Sequence, residues 1–352
     1  MMGTSHRNAP AWLPPLIFVY LATLAALYVM NRIGADWWWF GALNLYLPQV
    51  IWLVPGFFIA VITLVVSRRW TWLPLLGMAW VAAPLMGLCW PLHSSLEPPV
   101  GLPLRVMTWN VKYGSHDKLA HMAIMYEIDR NRPAVVFLQD SGGVLDSPLG
   151  DYFSAWNVRS DGQYIIASTL PLSPLQVKHF SFSGEEYSCV RTQLQFEGAT
   201  VALYNVHFQS PREGLAAMRA AMKHPRDLHK AIRQLGHNAK IRLFQAHAVR
   251  EFLLQESGPV IIAGDLNSPD TSRVCAVLRD MGLRDAFAEG GKGYGYTYGH
   301  FLFQDRLPGH TSSWMRIDHI MMSPQFLTRS SWTGTGKASD HRPVIADLIL
   351  RL

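Results

Sequence analysis

The strongest constraint on the fold is the absence of charge from three long stretches near the N-terminus. Each stretch lies between two charged residues: Arg7 and Arg32, Asp36 and Arg68, and Arg69 and Glu97. Each is longer than the roughly 18 apolar residues that mark a transmembrane helix candidate. The sequence therefore predicts a membrane domain, residues 1–97, with three transmembrane helices at about residues 12–31, 47–66 and 71–91.

The first apolar stretch also allows a second interpretation, a cleaved signal peptide. Its apolar run is longer than the roughly 7 to 15 residues of such peptides and lacks a clear small-x-small site, which favours a retained anchor. The aromatic cluster Trp37–Phe40 fits an interfacial belt. By the positive-inside rule, Arg7 and the pair Arg68 and Arg69 place the N-terminus and the second loop in the cytoplasm. Three crossings then put the rest of this multi-pass protein on the extracytoplasmic side.

The formal net charge of +6 suits an anionic partner such as nucleic acid, a lipid headgroup or a phosphate ester. Much of the excess lies in residues 209–250, where nine Lys or Arg stand against Glu213 and Asp227. A solvated helical face would produce the same pattern. Of the three cysteines, Cys189 and Cys275 could form one disulfide in an oxidising compartment, which spacing alone does not decide.

From Leu104 onward, short β-branched runs alternate with turns and helical stretches, which indicates an α/β fold. The predicted strands are LRVMTWNV, AVVFLQD, YIIASTL, YSCVRTQLQF, TVALYNVHF, GPVIIAGDLN, RIDHIMM and HRPVIADLIL. Helical spacing occurs in KLAHMAIMYEIDRNR and NAKIRLFQAHAVREFLLQE. The Gly-rich residues 290–296 lack the setting of a nucleotide-binding loop and are predicted to form a mobile loop.

Polar side chains stand at the ends of these apolar strands with unusual regularity. They are Asn110, Asp140, His207, Asp265, Asn267, Asp318, Asp340 and His341. A single buried Asp or His is most often a structural hydrogen-bonding group. A whole set is harder to explain in that way, because each unpaired buried polar group costs on the order of 1 to 3 kcal/mol. Strand ends are also where α/β folds build their sites.

The carboxylates and carboxamides of this set supply oxygen ligands, which select a hard cation. Mg²⁺ is therefore the expected metal, with Mn²⁺ as the other candidate. Such an ion neutralises charge while a phosphorus centre is attacked. An Asp that holds one nitrogen of a histidine leaves the other nitrogen oriented toward an attacking water. The residues thus predict metal-assisted phosphate chemistry with an acid-histidine pair.

Six motifs in this order resemble the endonuclease/exonuclease/phosphatase superfamily: TWNVKYG, VVFLQD, YNVHF, IIAGDLNSPD, RIDHIMMSP and SDHRPV. The resemblance covers residues 104–352, and six motifs in the family's order are specific where one would be weak. It implies a four-layered α/β sandwich, two mixed sheets flanked by helices, as a catalytic domain of residues 98–352. It also implies a metal-dependent phosphoric ester hydrolase.

The resemblance implies roles for the catalytic residues. Asp265 would orient or deprotonate the nucleophilic water, and Asn267 would bind the scissile phosphate. Asp318 would pair with His341, whose imidazole would contact the phosphate or take part in proton transfer. His207 would stabilise the phosphate or protonate the leaving oxygen.

The resemblance also implies a metal site. Asn110 and Asp140 would help to hold the metal, and Asp340 would join them directly or through water. The family usually has Glu at the position of Asp140, so the shorter arm requires a closer backbone or an intervening water. Apurinic endonucleases carry Asp at the position of Lys112, which is suited here to a phosphate contact.

Three functions are compatible with these features. The preferred one is a membrane-anchored phosphodiesterase acting on a phospholipid or sphingolipid headgroup, because the spans tether the site and residues 209–250 could lie against anionic headgroups. The alternative is an extracytoplasmic nuclease acting on DNA or RNA, with binding that weakens steeply with salt. A non-catalytic binding protein is the third, and the complete residue set argues against it.

Overall fold

The computed structural model describes residues 9–91, 100–112, 118–299, 312–335 and 337–351. The predicted domain boundary at residues 97 and 98, and Arg7, lie outside the described residues. The helices are α1 (Leu13–Arg32), α2 (Trp39–Tyr46), α3 (Leu53–Val66), α4 (Trp72–Trp80), α5 (Lys118–Asn131), α6 (Pro148–Tyr152), α7 (Arg212–Ala221), α8 (Leu228–Leu253), α9 (Arg273–Arg279) and α10 (Ala286–Gly290). The strands are β1 (Leu102–Asn110), β2 (Val135–Gln139), β3 (Asn157–Asp161), β4 (Tyr164–Ser168), β5 (Gln176–Phe182), β6 (Glu185–Phe196), β7 (Ala199–His207), β8 (Val260–Asp265), β9 (Arg284–Asp285), β10 (Asp318–Met322), β11 (Phe326–Thr333) and β12 (Val344–Leu350).

The described strands form two six-stranded sheets. Their orders are β11-β12-β1-β2-β4-β3 and β5-β6-β7-β8-β10-β9. Each sheet has one parallel pair near its centre, β1 with β2 and β7 with β8, and its other pairs are antiparallel. Both sheets are therefore mixed, as predicted.

Alternating side chains of the central strands face different hydrophobic cores. In β1, Val106 points into the core between the two sheets, whereas Met107 points into the core beneath α5 and α6. In β8, Ile261 points between the sheets and Ile262 toward α8 and α9. Because both faces of these strands are covered, they are mostly apolar, with Arg105 and Thr108 as polar exceptions within β1. The layers run helix, sheet, sheet, helix, which confirms the predicted sandwich.

The first apolar segments form a helical cluster of their own. α1 packs against α3 and α4 around Tyr20, Leu24 and Ile59. A Cβ at Gly56 or Gly77 would lie 2.4 or 2.6 Å from Tyr20, so these glycines permit the close helix contact. Other large apolar side chains of the cluster face outward: Phe18, Val19, Phe57, Phe58, Leu64, Val65, Leu75 and Leu76.

Two of the three predicted transmembrane helices are long and apolar enough to cross a membrane, Leu13–Arg32 and Gln49–Val66. Only 28% and 22% of their most apolar 18-residue stretches are buried, so both helices are largely exposed. The third predicted helix, residues 71–91, is not confirmed as one continuous span. α4 gives way to a π-helical turn at Val81–Leu85, which contains Pro84. The missing N–H of proline interrupts the regular hydrogen bonds there.

The Gly-rich segment is held in place in the part that the structure describes, contrary to the mobile loop that we predicted. Gly293 forms a β-bridge with Cys89, and Tyr298 forms one with His341. The Tyr294 hydroxyl donates to the carbonyl of Ala82 at 2.8 Å. The segment thus joins the helical cluster to the catalytic sandwich. All three cysteines lie within the described residues and are free thiols.

Candidate active site

The candidate site lies where the ends of strands from both sheets meet. β1 and β2 run parallel, and their last residues Asn110 and Gln139 are paired. In the second sheet the last residues of the parallel pair β7 and β8, His207 and Asp265, stand opposite each other. Asp318 begins β10 opposite Asp265. The topology therefore gathers the predicted polar residues at one edge of the sandwich.

Ser339 fastens the Asp340 and His341 pair to the end of β1. Its hydroxyl donates to the carbonyl of Asn110 at 2.7 Å and accepts from the backbone N–H of His341 at 3.1 Å. The indole Nε1 of Trp109 donates to the carbonyl of His341 at 3.0 Å. These three bonds fix the histidine at the entrance to β12.

The imidazole of His341 is held by Asp318. Its Nδ1 lies 2.9 Å from Asp318 Oδ2, and both side chains are buried. Burial alone would lower the pKa of His341, but the carboxylates of Asp318 and then Asp265 outweigh it and raise the pKa to about 9. At neutral pH the ring is therefore a cation with its second nitrogen, Nε2, free to point into the site.

Asp265 is the centre of the hydrogen-bond network. Its Oδ2 accepts from the side-chain amide of Asn110 at 3.0 Å, and its Oδ1 accepts from the backbone N–H of Asn267 at 2.8 Å. Burial, and then the nearby carboxylate of Asp318, raise the pKa of Asp265 to about 6. A carboxylate with this pKa is ionised at pH 7 yet accepts a proton more readily than an exposed aspartate.

Two imidazoles face the same oxygen of Asp265. Nε2 of His207 lies 3.6 Å and Nε2 of His341 lies 3.7 Å from Asp265 Oδ2. The other nitrogen of His207 contacts Gln163 Oε1 at 2.6 Å. Both distances exceed a direct hydrogen bond, so a water or phosphate oxygen beside these atoms would be within reach of all three groups. The three groups can therefore surround one small polar ligand.

The predicted metal ligands lie beside this centre. Asp140 follows β2, and its Oδ1 lies 3.5 Å from Nδ1 of His207. Asp340 Oδ2 lies 2.5 Å from the ammonium of Lys112 and 3.9 Å from the guanidinium of Arg212. Both cations are substantially exposed, so they are placed to meet an anion that enters the site.

Three residues of the site have a left-handed backbone. Lys112, Asp140 and Asn267 have φ values of 45°, 48° and 48°. Non-glycine residues seldom adopt positive φ, and such strain is found most often at functional sites. The unusual backbone turns each side chain away from the path of its strand and into the site.

The donors fit a hard divalent cation. Asn110, Asp140 and Asp340 offer amide and carboxylate oxygens, the ligands that Mg²⁺ and Mn²⁺ prefer. A second possibility is present, since Asp265, Asp318 and His341 place potential ligand atoms within 4.8 Å of one another. The sequence assigned that second group to proton handling.

Sequence reasoning missed several residues that complete the site. Gln163 orients His207, and its position in the turn between β3 and β4 carries no recognisable signal. The ring of Tyr298 lies 4.8 Å from the ring of His341. Arg212 belongs to the basic segment, for which the sequence suggested a surface for anionic partners or a solvated helical face but no place in the active site. Charge and composition did mark that segment, whereas only the fold brings Tyr298 to the histidine.

A second buried cluster lies behind the site. His319 Nδ1 contacts Asp285 Oδ2 at 2.7 Å, and Arg316 Nη1 contacts Asp285 Oδ1 at 2.5 Å. Nε2 of His319 lies 3.0 Å from the carbonyl oxygen of Ser268. Burial opposes the charged imidazole, but Cys275 and Asp285 raise the pKa of His319 to about 10. Through the contact of His319 with the Ser268 carbonyl, the cluster supports the loop that follows β8.

This cluster predicts a pH-dependent stability. Because the folded pKa of His319 is above its unfolded value of about 6.5, its stabilisation is complete below about pH 6.5 and is lost as the pH rises through about 10. His319→Gln should lower the free energy of unfolding at pH 6 by about 1 to 3 kcal/mol and flatten its decline toward pH 10. Thermal unfolding at both pH values measures this. The control is a Gln variant at the exposed His179. If the free energy of unfolding of His319→Gln depended on pH in the same way as that of this control and of the wild type, the prediction would be wrong.

The arrangement combines an ionised carboxylate, a cationic imidazole and exposed basic groups around one small space. Such a set can deprotonate a water, bind a phosphate and stabilise the negative charge that develops on it. No thiol or hydroxyl nucleophile is needed for this chemistry.

Comparison with known proteins gives one family match and several solved structures with the same fold. The model of the Endonuclease/Exonuclease/phosphatase family matches residues 107–341. No curated protein matches the chain. Truncated Caenorhabditis elegans TDP2 is 22% identical with a TM-score of 0.51, over 70% of this chain and 98% of that chain.

Two further solved structures share the fold. An endonuclease/exonuclease/phosphatase family protein from Bacteroides thetaiotaomicron is 16% identical with a TM-score of 0.53, over 72% of this chain and 100% of that chain. D. rerio TDP2 complexed with single strand DNA product is 18% identical with a TM-score of 0.52, over 70% and 98%. At these identities the structural likeness shows the fold, and the family match covers most of the sandwich.

Proposed function

Because this chain belongs to the endonuclease/exonuclease/phosphatase family and is a phosphoric ester hydrolase, we propose that it is a Mg²⁺-dependent phosphodiesterase that works at a membrane surface. The observation that carries this proposal is the convergence of two imidazoles on one carboxylate oxygen. Nε2 of His207 and Nε2 of His341 approach Asp265 Oδ2 to 3.6 and 3.7 Å, so one water or phosphate oxygen beside them would contact all three groups.

In the proposed mechanism, Asp265 takes a proton from the attacking water. Its raised pKa of about 6 suits this task, because the group is still ionised at pH 7. His341, kept cationic by Asp318, donates Nε2–H to a phosphate oxygen. The side-chain amide of Asn267 donates to Asp265 Oδ2 at 3.2 Å and would redirect that N–H to the scissile phosphate, and His207 protonates the leaving oxygen or stabilises the phosphate.

A divalent ion would be held by Asn110, Asp140 and Asp340, and when bound it neutralises charge on the phosphate. Lys112 is proposed to contact the phosphate as well. Its ammonium lies 2.5 Å from Asp340 Oδ2, so it would turn from that carboxylate toward the substrate as the ion binds.

Asp140 provides a test of the metal site. Asp140→Ala should raise the Mg²⁺ concentration needed for half-maximal activity by about 10- to 100-fold. Asp140→Glu should keep activity and require no more Mg²⁺ than the wild type, because the longer arm reaches the ion without an intervening water. Metal titrations of kcat for the three proteins measure this. Complete loss of activity in Asp140→Glu would show instead that the left-handed backbone at this position is matched to aspartate alone.

The membrane placement rests on the outward-facing apolar side chains of α1 and α3. We propose a membrane domain of residues 1–97 and a catalytic domain of residues 98–352. We also propose three crossings, the third being short. α4 begins just beyond the end of α3, and the chain after it returns to the catalytic sandwich at the Cys89 and Gly293 bridge. Arg68 and Arg69 then lie on the cytoplasmic side, and the catalytic domain lies on the extracytoplasmic side.

We propose a phospholipid or sphingolipid headgroup as the substrate. α2 leads from α1 directly onto the catalytic sandwich, packing on α7 and α8 through Ala42, Met218 and Leu235. The basic segment formed by α7 and α8 therefore lies beside the proposed membrane helices, within reach of lipid headgroups. A nucleic acid is the second candidate, and the observation in its favour is that D. rerio TDP2, which shares this fold, is complexed with a single-stranded DNA product.

The substrate class can be tested with the full-length protein in detergent. Vesicles of anionic phospholipid or sphingomyelin and single- and double-stranded DNA and RNA would each be offered with Mg²⁺. Release of a phosphorylated headgroup from a lipid, with the nucleic acids intact, supports the lipid substrate. Cleavage of nucleic acid alone, steeply weakened by salt, would overturn it in favour of a tethered nuclease.

A further inference from the structure

Tyr46, the last residue of α2, reaches from the N-terminal helices into the candidate active site. Its hydroxyl donates a hydrogen bond of 2.9 Å to the backbone carbonyl of Asn267. Both residues are 6% exposed, so solvent does not replace this bond. The contact joins positions 221 residues apart, and Tyr46 belongs to none of the six motifs of the catalytic domain.

The carbonyl that accepts from Tyr46 belongs to Asn267, a residue with a strained backbone inside the candidate active site. Asn267 has a φ of 48°, and its N–H donates to Asp265 Oδ1 at 2.8 Å. Its side-chain amide donates to the carbonyl of Phe208 at 2.9 Å. Rotation of this residue toward ordinary backbone angles would move both its amide and its N–H. The Tyr46 hydroxyl opposes that rotation by fixing the third polar group of the residue.

Tyr46 is itself fixed from two sides. The guanidinium of Arg242, a buried residue of α8, lies over its ring at 5.5 Å and also donates to the carbonyl of Gln209 at 3.3 Å. The indole of Trp314 donates to the carbonyl of Tyr46 at 3.3 Å. Because both the ring and the backbone of Tyr46 are held, its hydroxyl has one position. A residue that supports the loop after β8 needs such a fixed position.

We propose that Tyr46 is a positioning residue of the active site, so that the N-terminal helical segment completes the catalytic centre as well as anchoring it. Tyr46 acts through Asn267, which it orients toward the scissile phosphate. This inference rests on the proposed function, in which Asn267 binds that phosphate. It predicts that loss of one hydroxyl in α2 lowers turnover without weakening the binding of substrate in the ground state.

The simpler explanation is that Tyr46 only fastens the helical cluster to the sandwich. The structure offers a matched control for that, because the Tyr294 hydroxyl also joins the two parts, donating to the carbonyl of Ala82 at 2.8 Å. Tyr294→Phe removes one hydroxyl of a half-buried tyrosine and one contact between the two parts, and it leaves the loop after β8 untouched. Each variant thus loses one hydrogen bond between the two parts, and only Tyr46→Phe removes a support of Asn267.

The experiment measures kcat and KM of the full-length protein in detergent with Mg²⁺ and a chromogenic phosphodiester, bis(4-nitrophenyl) phosphate. Tyr46→Phe should lower kcat by about tenfold with KM within about twofold of the wild type. Tyr294→Phe should change neither by more than about twofold. Equal losses in both variants, or none in Tyr46→Phe, would overturn the inference. Absence of Mg²⁺-dependent turnover in the wild type would instead overturn the proposed function.

A double-mutant cycle provides the readout that a merely structural role would not change. Asn267→Gly removes the amide and keeps the left-handed backbone. If Tyr46 acts through that amide, adding Tyr46→Phe to Asn267→Gly should cost less than about twofold in kcat. A full additional tenfold loss would show that Tyr46 acts by another route and would contradict the proposal.

Discussion

His341→Ala should lower kcat by about 10²- to 10⁴-fold, the range expected for the loss of a general acid or base. The variant loses the imidazolium that Asp318 holds at 2.9 Å and that faces Asp265. It also leaves two buried carboxylates without the cation between them, so Mg²⁺ dependence should shift as well. Steady-state kinetics with bis(4-nitrophenyl) phosphate measure the effect.

The control for this variant is alanine at the exposed His179 on β5, which should leave kcat within about twofold of the wild type. A second variant, His341→Gln, keeps a polar group of similar size and tests whether the loss comes from an altered fold. It should be as inactive as His341→Ala. Near-normal turnover in purified His341→Gln would remove this residue from the proposed mechanism.

Asp265→Asn should reduce kcat by a similar factor, about 10²- to 10⁴-fold, because an amide cannot accept the proton of the attacking water. A simple loss of contacts would lower the free energy of unfolding, but Asp265→Asn should not lower it. Burial and Asp318 raise the pKa of Asp265 to about 6, so its charged form is less stable in the folded protein than in the unfolded chain at pH 7. A neutral side chain of the same shape removes that penalty.

Thermal unfolding of Asp265→Asn therefore separates chemistry from folding. We expect an unfolding midpoint within a few degrees of the wild type together with the loss of turnover. A large fall in the midpoint would assign Asp265 to the support of Asn110 and Asn267 through the three hydrogen bonds it accepts from them, and the activity data would then say nothing about proton transfer.

Much of the sandwich could be predicted from the sequence because its central strands are buried on both faces. Such strands have predominantly apolar sequences, and the polar residues at their ends are conspicuous. Parallel strands end at the same edge of a sheet, so Asn110 and the residue after β2, and likewise His207 and Asp265, had to come together. This confirms the predicted fold and explains why the site residues lie in one place, while their individual roles stay predictions.

Other features depend on contacts between segments far apart in the sequence. The hydroxyl of Tyr46 meets Asn267 only because α2 leaves the helical cluster and packs on α7 and α8. The aromatic cluster Trp37–Phe40, at the start of α2, has two environments. Trp37 and Trp38 are exposed, as expected for an interfacial belt, whereas Trp39 packs against the catalytic sandwich. Composition alone marks both kinds of tryptophan in the same way.

The third apolar segment shows a limit of counting uncharged residues. Its hydropathy resembles that of the other two, but Pro84 lies inside a π-helical turn and Gly87 follows with a φ of 74°. Both features end a regular helix, and the chain beyond them pairs with the Gly-rich segment. The length of the uncharged stretch thus predicted where the helix begins but not where it ends.

The most direct test of a metal-dependent phosphodiesterase is hydrolysis of bis(4-nitrophenyl) phosphate by the purified full-length protein, measured with Mg²⁺, with a chelator, and after Mg²⁺ is restored. The proposed mechanism predicts turnover with Mg²⁺, its loss on chelation, its recovery on restoration, and none of these in His341→Ala. Turnover that persists in chelator, or that is equal in the wild type and His341→Ala, would contradict it.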